Sequence, residues 1–130
     1  NQTTLINGIS LFLLLLIIVA MVNFLTEITS NLATTSMILP IIAPIAQIIN
    51  VHPFILMFGA TIAASCAFML PVATPPNAVV FGSGYLKIKD MMRAGFLLNI
   101  ISIIIIAIYL YFALPIFWGI DIFNFPLEFK

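Results

Sequence analysis

Three prolines in six residues, Pro71, Pro75 and Pro76, lie inside a stretch with no charged side chain from Ile28 to Leu86. In hydrocarbon every backbone N–H and C=O needs an internal partner, so an apolar stretch of this length defaults to helix. Each proline removes a donor and clashes with the preceding turn. The segment Met69–Asn77 therefore predicts a helix broken near its middle, with carbonyls freed around Leu70 to Thr74. Proline suits a first helical turn, so a new half-helix is expected after Pro75-Pro76, its N–H groups facing the gap. Broken backbone at membrane depth is tolerated where it lines a cavity; there carbonyls bind cations and helix N-termini bind anions. The stretch reads as half of an ion and substrate site.

Composition supplies the setting. Hydrophobic residues make up 64% of the chain and charged residues 6%, with mean hydropathy +1.31. A soluble domain carries about 25% charged residues, so this chain belongs in a bilayer. The net charge is zero, without the basic excess that nucleic acid requires, and the single Cys66 allows neither an internal disulfide nor metal-ligand spacing. A chain of this length holds three or four membrane elements. That is few for a transporter, and implies obligate assembly or a piece of a longer polypeptide.

Leu5 to Leu25 is apolar apart from Asn7, Ser10 and Asn23 and is long enough to span. It lacks the basic flank and cleavage pattern of a secretory signal. A polar patch, Thr26 to Thr35, follows, and then a second apolar run, Ser36 to Val51, interrupted by Pro40 and Pro44. Two such runs joined by a tight polar tip predict a re-entrant hairpin over about 5–50. Asn50 to Pro53 reads as a turn, and Phe54 to Leu70 as a helix with small residues every four positions (Gly59, Ala63, Ala67) for close packing. The broken helix then covers about 53–84, its second half from Asn77 to Phe81, closed by Gly82-Ser-Gly84. Lys87, Lys89 and Arg93 predict a cytoplasmic loop. The last span is expected over about 94–120, with Tyr109, Tyr111, Phe117 and Trp118 as an aromatic belt at its far, external end.

Each polar motif has two readings. Ser30 and Asn31 at the tip suit a dehydrated sodium ion and an anion's oxygens, or they cap a helix. Glu27 is a proton or cation ligand, or an acceptor that braces the tip; the neighbouring hydroxyls favour the brace. His52 is expected to be solvated or interfacial, Cys66 to pack within its helix, and the basic cluster to report topology. Phosphate loops, catalytic triads and metal clusters are not found, and no enzyme is expected.

Three motifs in order, Thr26-Glu-Ile-Thr-Ser-Asn31, Pro71-Val-Ala-Thr-Pro-Pro-Asn-Ala78 and Asp90-Met-Met-Arg-Ala-Gly-Phe96, resemble the divalent anion:sodium symporter family of sodium/dicarboxylate and sodium/sulfate cotransporters. The resemblance covers nearly the whole chain and matches the C-terminal part of that family's transport domain. It implies an all-α membrane protein of the plasma (inner) membrane, built here as one half of an inverted repeat: hairpin, broken helix, final transmembrane helix. Substrate, a C4-dicarboxylate or sulfate, would meet Ser30 and Asn31 across from Thr74 and Pro75. Sodium, as coupling ion and with no further cofactor, would be held by Thr26, Asn31 and carbonyls near Thr29 and Ala73. The family's tip reads Ser-Asn-Thr, whereas here Leu32 takes the third place with one hydroxyl fewer. The resemblance further implies elevator-like motion, a homodimeric full-length parent, and an N-terminal half completing the site. Proton coupling or transport of another oxyanion on a related fold, and a non-transporting membrane subunit, are the alternatives.

Overall fold

A computed structural model describes residues 2–129, with side chains from residue 7 onward. Five α-helices follow one another: α1 Gln2–Leu25, α2 Asn31–Ile48, α3 Pro53–Ala64, α4 Pro75–Gly82 and α5 Ile88–Trp118, then a 3-10 turn at Leu127–Phe129. No strand occurs among the described residues. Within α1, α2 and α5 lie three stretches long and apolar enough to cross a membrane, Asn7–Leu25, Asn31–Ile48 and Ile88–Trp118.

Local chemistry sets most boundaries. The Ser30 hydroxyl accepts the N–H of Ala33 at 3.1 Å and caps α2. Pro53 opens α3 and Pro75-Pro76 open α4, each after a capping residue, His52 and Thr74. Gly119 ends α5 with φ +62°, a left-handed turn that suits a residue without Cβ. The second leg of the hairpin does not wait for Ser36, and it runs unbroken through Pro40 and Pro44, as membrane helices permit. α5 starts at Ile88, six residues before the expected Ala94, where Asp90 accepts the N–H of Lys87 at 3.4 Å.

α3 is the central element. A Cβ on Gly59 would meet Leu15 Cδ1 at 2.8 Å, Val19 Cγ2 at 3.1 Å and Leu110 Cδ1 at 3.5 Å. Leu15 and Val19 are followed up α1 by Asn23, which reaches Cys66, so α1 and α3 run parallel and in direct contact while α5 packs antiparallel against both. Leu15, Val19, Val22, Ile55, Leu56, Ala60, Ala63, Ile106 and Leu110 form the buried seam. Outward, Ile9, Leu13, Ile17 and Met21 on α1 and Leu97, Ile101, Ile104, Ile105 and Ile108 on α5 are exposed. Apolar faces of this extent suit lipid or partner helices rather than water.

At the end away from the tip, His52, Phe54, Phe58, Trp118 and Phe129 form an aromatic cluster, and the N–H of His52 donates to the carbonyl of Ile122 at 3.2 Å. His52 is buried rather than solvated, because its Nδ1 accepts the N–H of Phe54 at 3.2 Å and its ring packs on Phe54. Burial pushes the imidazole below its ordinary 6.5, with Asp121 pulling partly the other way. A folded value below the unfolded one means stability present above pH 6.5 and lost as pH falls toward the depressed value. The melting temperature of the solubilised protein should therefore drop between about pH 7.5 and pH 5. His52→Asn keeps a cap acceptor that does not titrate and should flatten that slope; an unaltered slope would place the titration elsewhere.

Candidate functional site

The expected helix Phe54–Leu70 stops at Ala64, and residues 65–74 form a non-helical break with a turn at 71–73. Every group this frees at depth would cost several kcal/mol unless paired. The pairing comes from side chains. Glu27 accepts the N–H groups of Phe68 (2.8 Å), Met69 (3.0 Å) and Leu70 (3.1 Å) through its two carboxylate oxygens. Thr26 Oγ1 donates to the carbonyl of Ala64 at 2.9 Å, and Asn23 Nδ2 to that of Cys66. Asn77 Nδ2 donates to the carbonyls of Ala67 and Leu70, both at 3.0 Å. Asn99 Nδ2, from α5, donates to Glu27 Oε1 at 2.6 Å. The tip, the break, the half-helix and the last span are one hydrogen-bonded unit.

Glu27 thus accepts hydrogen bonds as a brace, but it braces the break and not the tip. Cys66 lies in the break, two residues beyond the end of α3, instead of within the helix. The cause is the same: a carboxylate aimed at residues 68–70 competes for N–H groups that a continuous helix would pair with carbonyls four residues back.

Of the predicted sodium ligands, Thr26 and Asn31 meet directly, Oγ1 to Oδ1 at 2.7 Å. Thr26 is fully buried and Asn31 half-buried. The Thr26 hydroxyl has a single hydrogen, shared between Asn31 Oδ1 and the Ala64 carbonyl, so its lone pairs remain for a cation. Thr29 is exposed; its Oγ1 donates to the carbonyl of Leu25 at 2.9 Å and pairs with Thr34 Oγ1 at 2.5 Å. Ala73 is buried, its N–H donating to the carbonyl of Leu70 at 3.2 Å.

Of the predicted substrate residues, Ser30 and Thr74 are both helix caps. Ser30 and Pro75 are exposed and Thr74 is half-buried. The two helix N-termini are not equivalent. In α2 the N–H groups of Asn31 and Leu32 have no intrahelical acceptor and are free for an anion. In α4 the expectation of N–H groups facing the gap fails. Pro75 and Pro76 have none, Asn77 N–H goes to Thr74 Oγ1 at 3.4 Å and Ala78 N–H to the Thr74 carbonyl at 3.1 Å. The half-helix therefore offers an anion its dipole and the Thr74 hydroxyl, not its backbone donors.

No Lys or Arg occurs between Ile28 and Leu86, so hydroxyls, amides and helix ends are what this face presents. It is open. The cavity of about 420 Å³ lined by Asn7, Ser10, Asn50 and Phe123 lies at the other end of the bundle. Sequence reading missed Asn23, Asn77 and Asn99 as functional parts. Asn99 carried a signal, since a polar side chain in the middle of an isoleucine run is costly in a membrane. So did Gly95, Asn99 and Ser102, which share one helix face: Ser102 lies against Cys66, and a Cβ on Gly95 would run into the Phe68 carbonyl oxygen.

A family model described as the sodium:sulfate symporter transmembrane region matches residues 2–119. The chain is similar to a sodium-dependent dicarboxylate transporter, SdcS, of Staphylococcus saprophyticus, 51% identical over 130 residues, and to SdcS of Staphylococcus aureus, 52% identical over 130 residues. The whole of this chain is covered in both matches, and it spans 25% of each relative's length.

Proposed function

Because the chain belongs to the sodium:sulfate symporter family, we propose that it forms the C-terminal portion of a sodium-coupled secondary transporter for a small dicarboxylate. The protein is a multi-pass transporter of the plasma membrane rather than an enzyme. The observation that carries the reading is the Thr26–Asn31 contact, two oxygen donors joined at a tip that is wired to a broken helix. With no cationic side chain on this face, a dianion needs positive charge from elsewhere. A co-bound sodium ion at Thr26, Asn31 and the carbonyls near Thr29 and Ala73 supplies it, and that shared electrostatics is the coupling. The carboxylate then meets the free N–H groups of α2, the Ser30 and Thr74 hydroxyls, Asn31 Nδ2 and the half-helix start at Pro75. Leu32, exposed beside them, presents a methyl surface where a hydroxyl would select a more polar anion.

The full-length parent completes the site with an N-terminal half of matching design, spans the bilayer as a homodimer and moves this unit, elevator-like, with the hairpin as a re-entrant element. Proton coupling through Glu27 fits less well, because both of its oxygens are already acceptors. The test is uptake by full-length polypeptide in liposomes. An imposed sodium gradient should drive saturable succinate uptake, with sulfate competing weakly. Uptake driven equally well by a proton gradient without sodium would refute sodium coupling.

A further inference from the structure

Glu27 lies beside the proposed sodium ligands without being one of them. It is 4% exposed and accepts four donors, three of them the consecutive N–H groups of residues 68–70, which lie just before the Ala73 carbonyl and the Thr74 cap. Its neighbour Thr26 ties the same tip to Ala64 and Asn31. Asn99 is fully buried, and its amide orientation follows from its partner: turned over, its oxygen would face the carboxylate. Donating to Glu27 therefore leaves Asn99 Oδ1 without a partner, and Asn23 Oδ1 is left so for the same reason by the bond to Cys66. An orphaned buried acceptor is a cost, borne here while Asn99 Nδ2 reaches the Glu27 carboxylate and Asn23 Nδ2 the Cys66 carbonyl.

We propose that Glu27, oriented by Asn99, is a positioning residue for sodium: its carboxylate clamps residues 68–70 so that the Ala73 carbonyl is held in register with Thr26 and Asn31. The assignment rests on the sodium site proposed above and adds the group that sets its geometry. It predicts a defect in sodium affinity produced by a residue that touches no sodium. Asn77 anchors the same segment from the half-helix side, so the break is held at both ends and the carboxylate end is the charged one.

The experiment uses full-length transporter in liposomes and reads the sodium concentration giving half-maximal succinate uptake, with the succinate KM at saturating sodium. Glu27→Gln keeps the side chain's size but replaces one acceptor oxygen by an NH₂ group facing N–H donors. It should raise the half-saturating sodium concentration about 10-fold or more and leave the succinate KM within about twofold. Asn99→Ala removes one of the four donors and should raise it about threefold. Wild-type sodium constants in either folded variant, with only lowered thermal stability, would overturn the proposal, since a purely structural brace behaves that way. A shifted succinate KM with unchanged sodium constants overturns it as well. If Glu27→Gln does not fold, Asn99→Ala decides. Sodium-independent uptake by the wild type would refute the reading above and this proposal with it, whereas sodium-dependent wild type with unaffected variants refutes this proposal alone.

Discussion

Asn31→Ala in the full-length transporter weakens sodium and dicarboxylate binding together. The side chain has two functional ends: Oδ1, already joined to Thr26 at 2.7 Å, faces the proposed cation, and Nδ2 is a donor for a substrate carboxylate. Removing both ends should cost about 1–3 kcal/mol for each ligand. By linkage the help each ligand gives the other should shrink by the same factor. Thr74→Ala provides the graded comparison. It removes one hydroxyl and the cap on Asn77, worth about 1 kcal/mol, and leaves the tip intact. Uptake measured against both sodium and succinate separates the two: Asn31→Ala should shift both constants, Thr74→Ala chiefly the succinate one. Wild-type constants in Asn31→Ala would reduce the tip to a helix cap and move the site elsewhere.

The second large effect is expected from a single methyl group. A Cβ at Gly95 would clash with the Phe68 carbonyl oxygen and stand 2.5 Å from Met69 Cα. Both are backbone atoms held in place by Glu27, so neither retreats as a flexible side chain would. Overpacking of this kind costs about 1–3 kcal/mol or more, and here the displaced atoms are those that order the break. Gly95→Ala should lower the melting temperature of the solubilised protein and depress sodium-driven uptake in the full-length parent. Gly82→Ala, where a Cβ meets nothing within 4 Å, serves as the control and should be nearly silent. Equal behaviour of the two variants would mean that α5 does not seat the break.

Much of this arrangement is written locally. Prolines at 71, 75 and 76 state that a helix must be interrupted, and Ser30 followed by an apolar run states where one begins. The occupied N-terminus of α4 was legible too, since two prolines after a threonine leave no free N–H until the third turn position. The length of the break was not legible. Nothing near Ser65 or Ala67 forbids helix, and the run of small residues from Gly59 to Ala67 invites it to continue.

What the sequence by itself determined is that the chain is helical, lives in a bilayer, and carries a polar tip and a proline break. Periodicity, hydropathy and the stereochemistry of proline act over a few residues, so they are readable without a fold. What only the tertiary structure decided is where α3 stops and what satisfies the freed backbone. The donors and acceptors come from Asn23, Thr26 and Glu27, up to 43 residues away along the chain, and Asn99 holds Glu27 from 72 residues away. A backbone group stripped of its helical partner must find another in the membrane interior, but which side chain arrives depends on how α1 and α5 pack against α3.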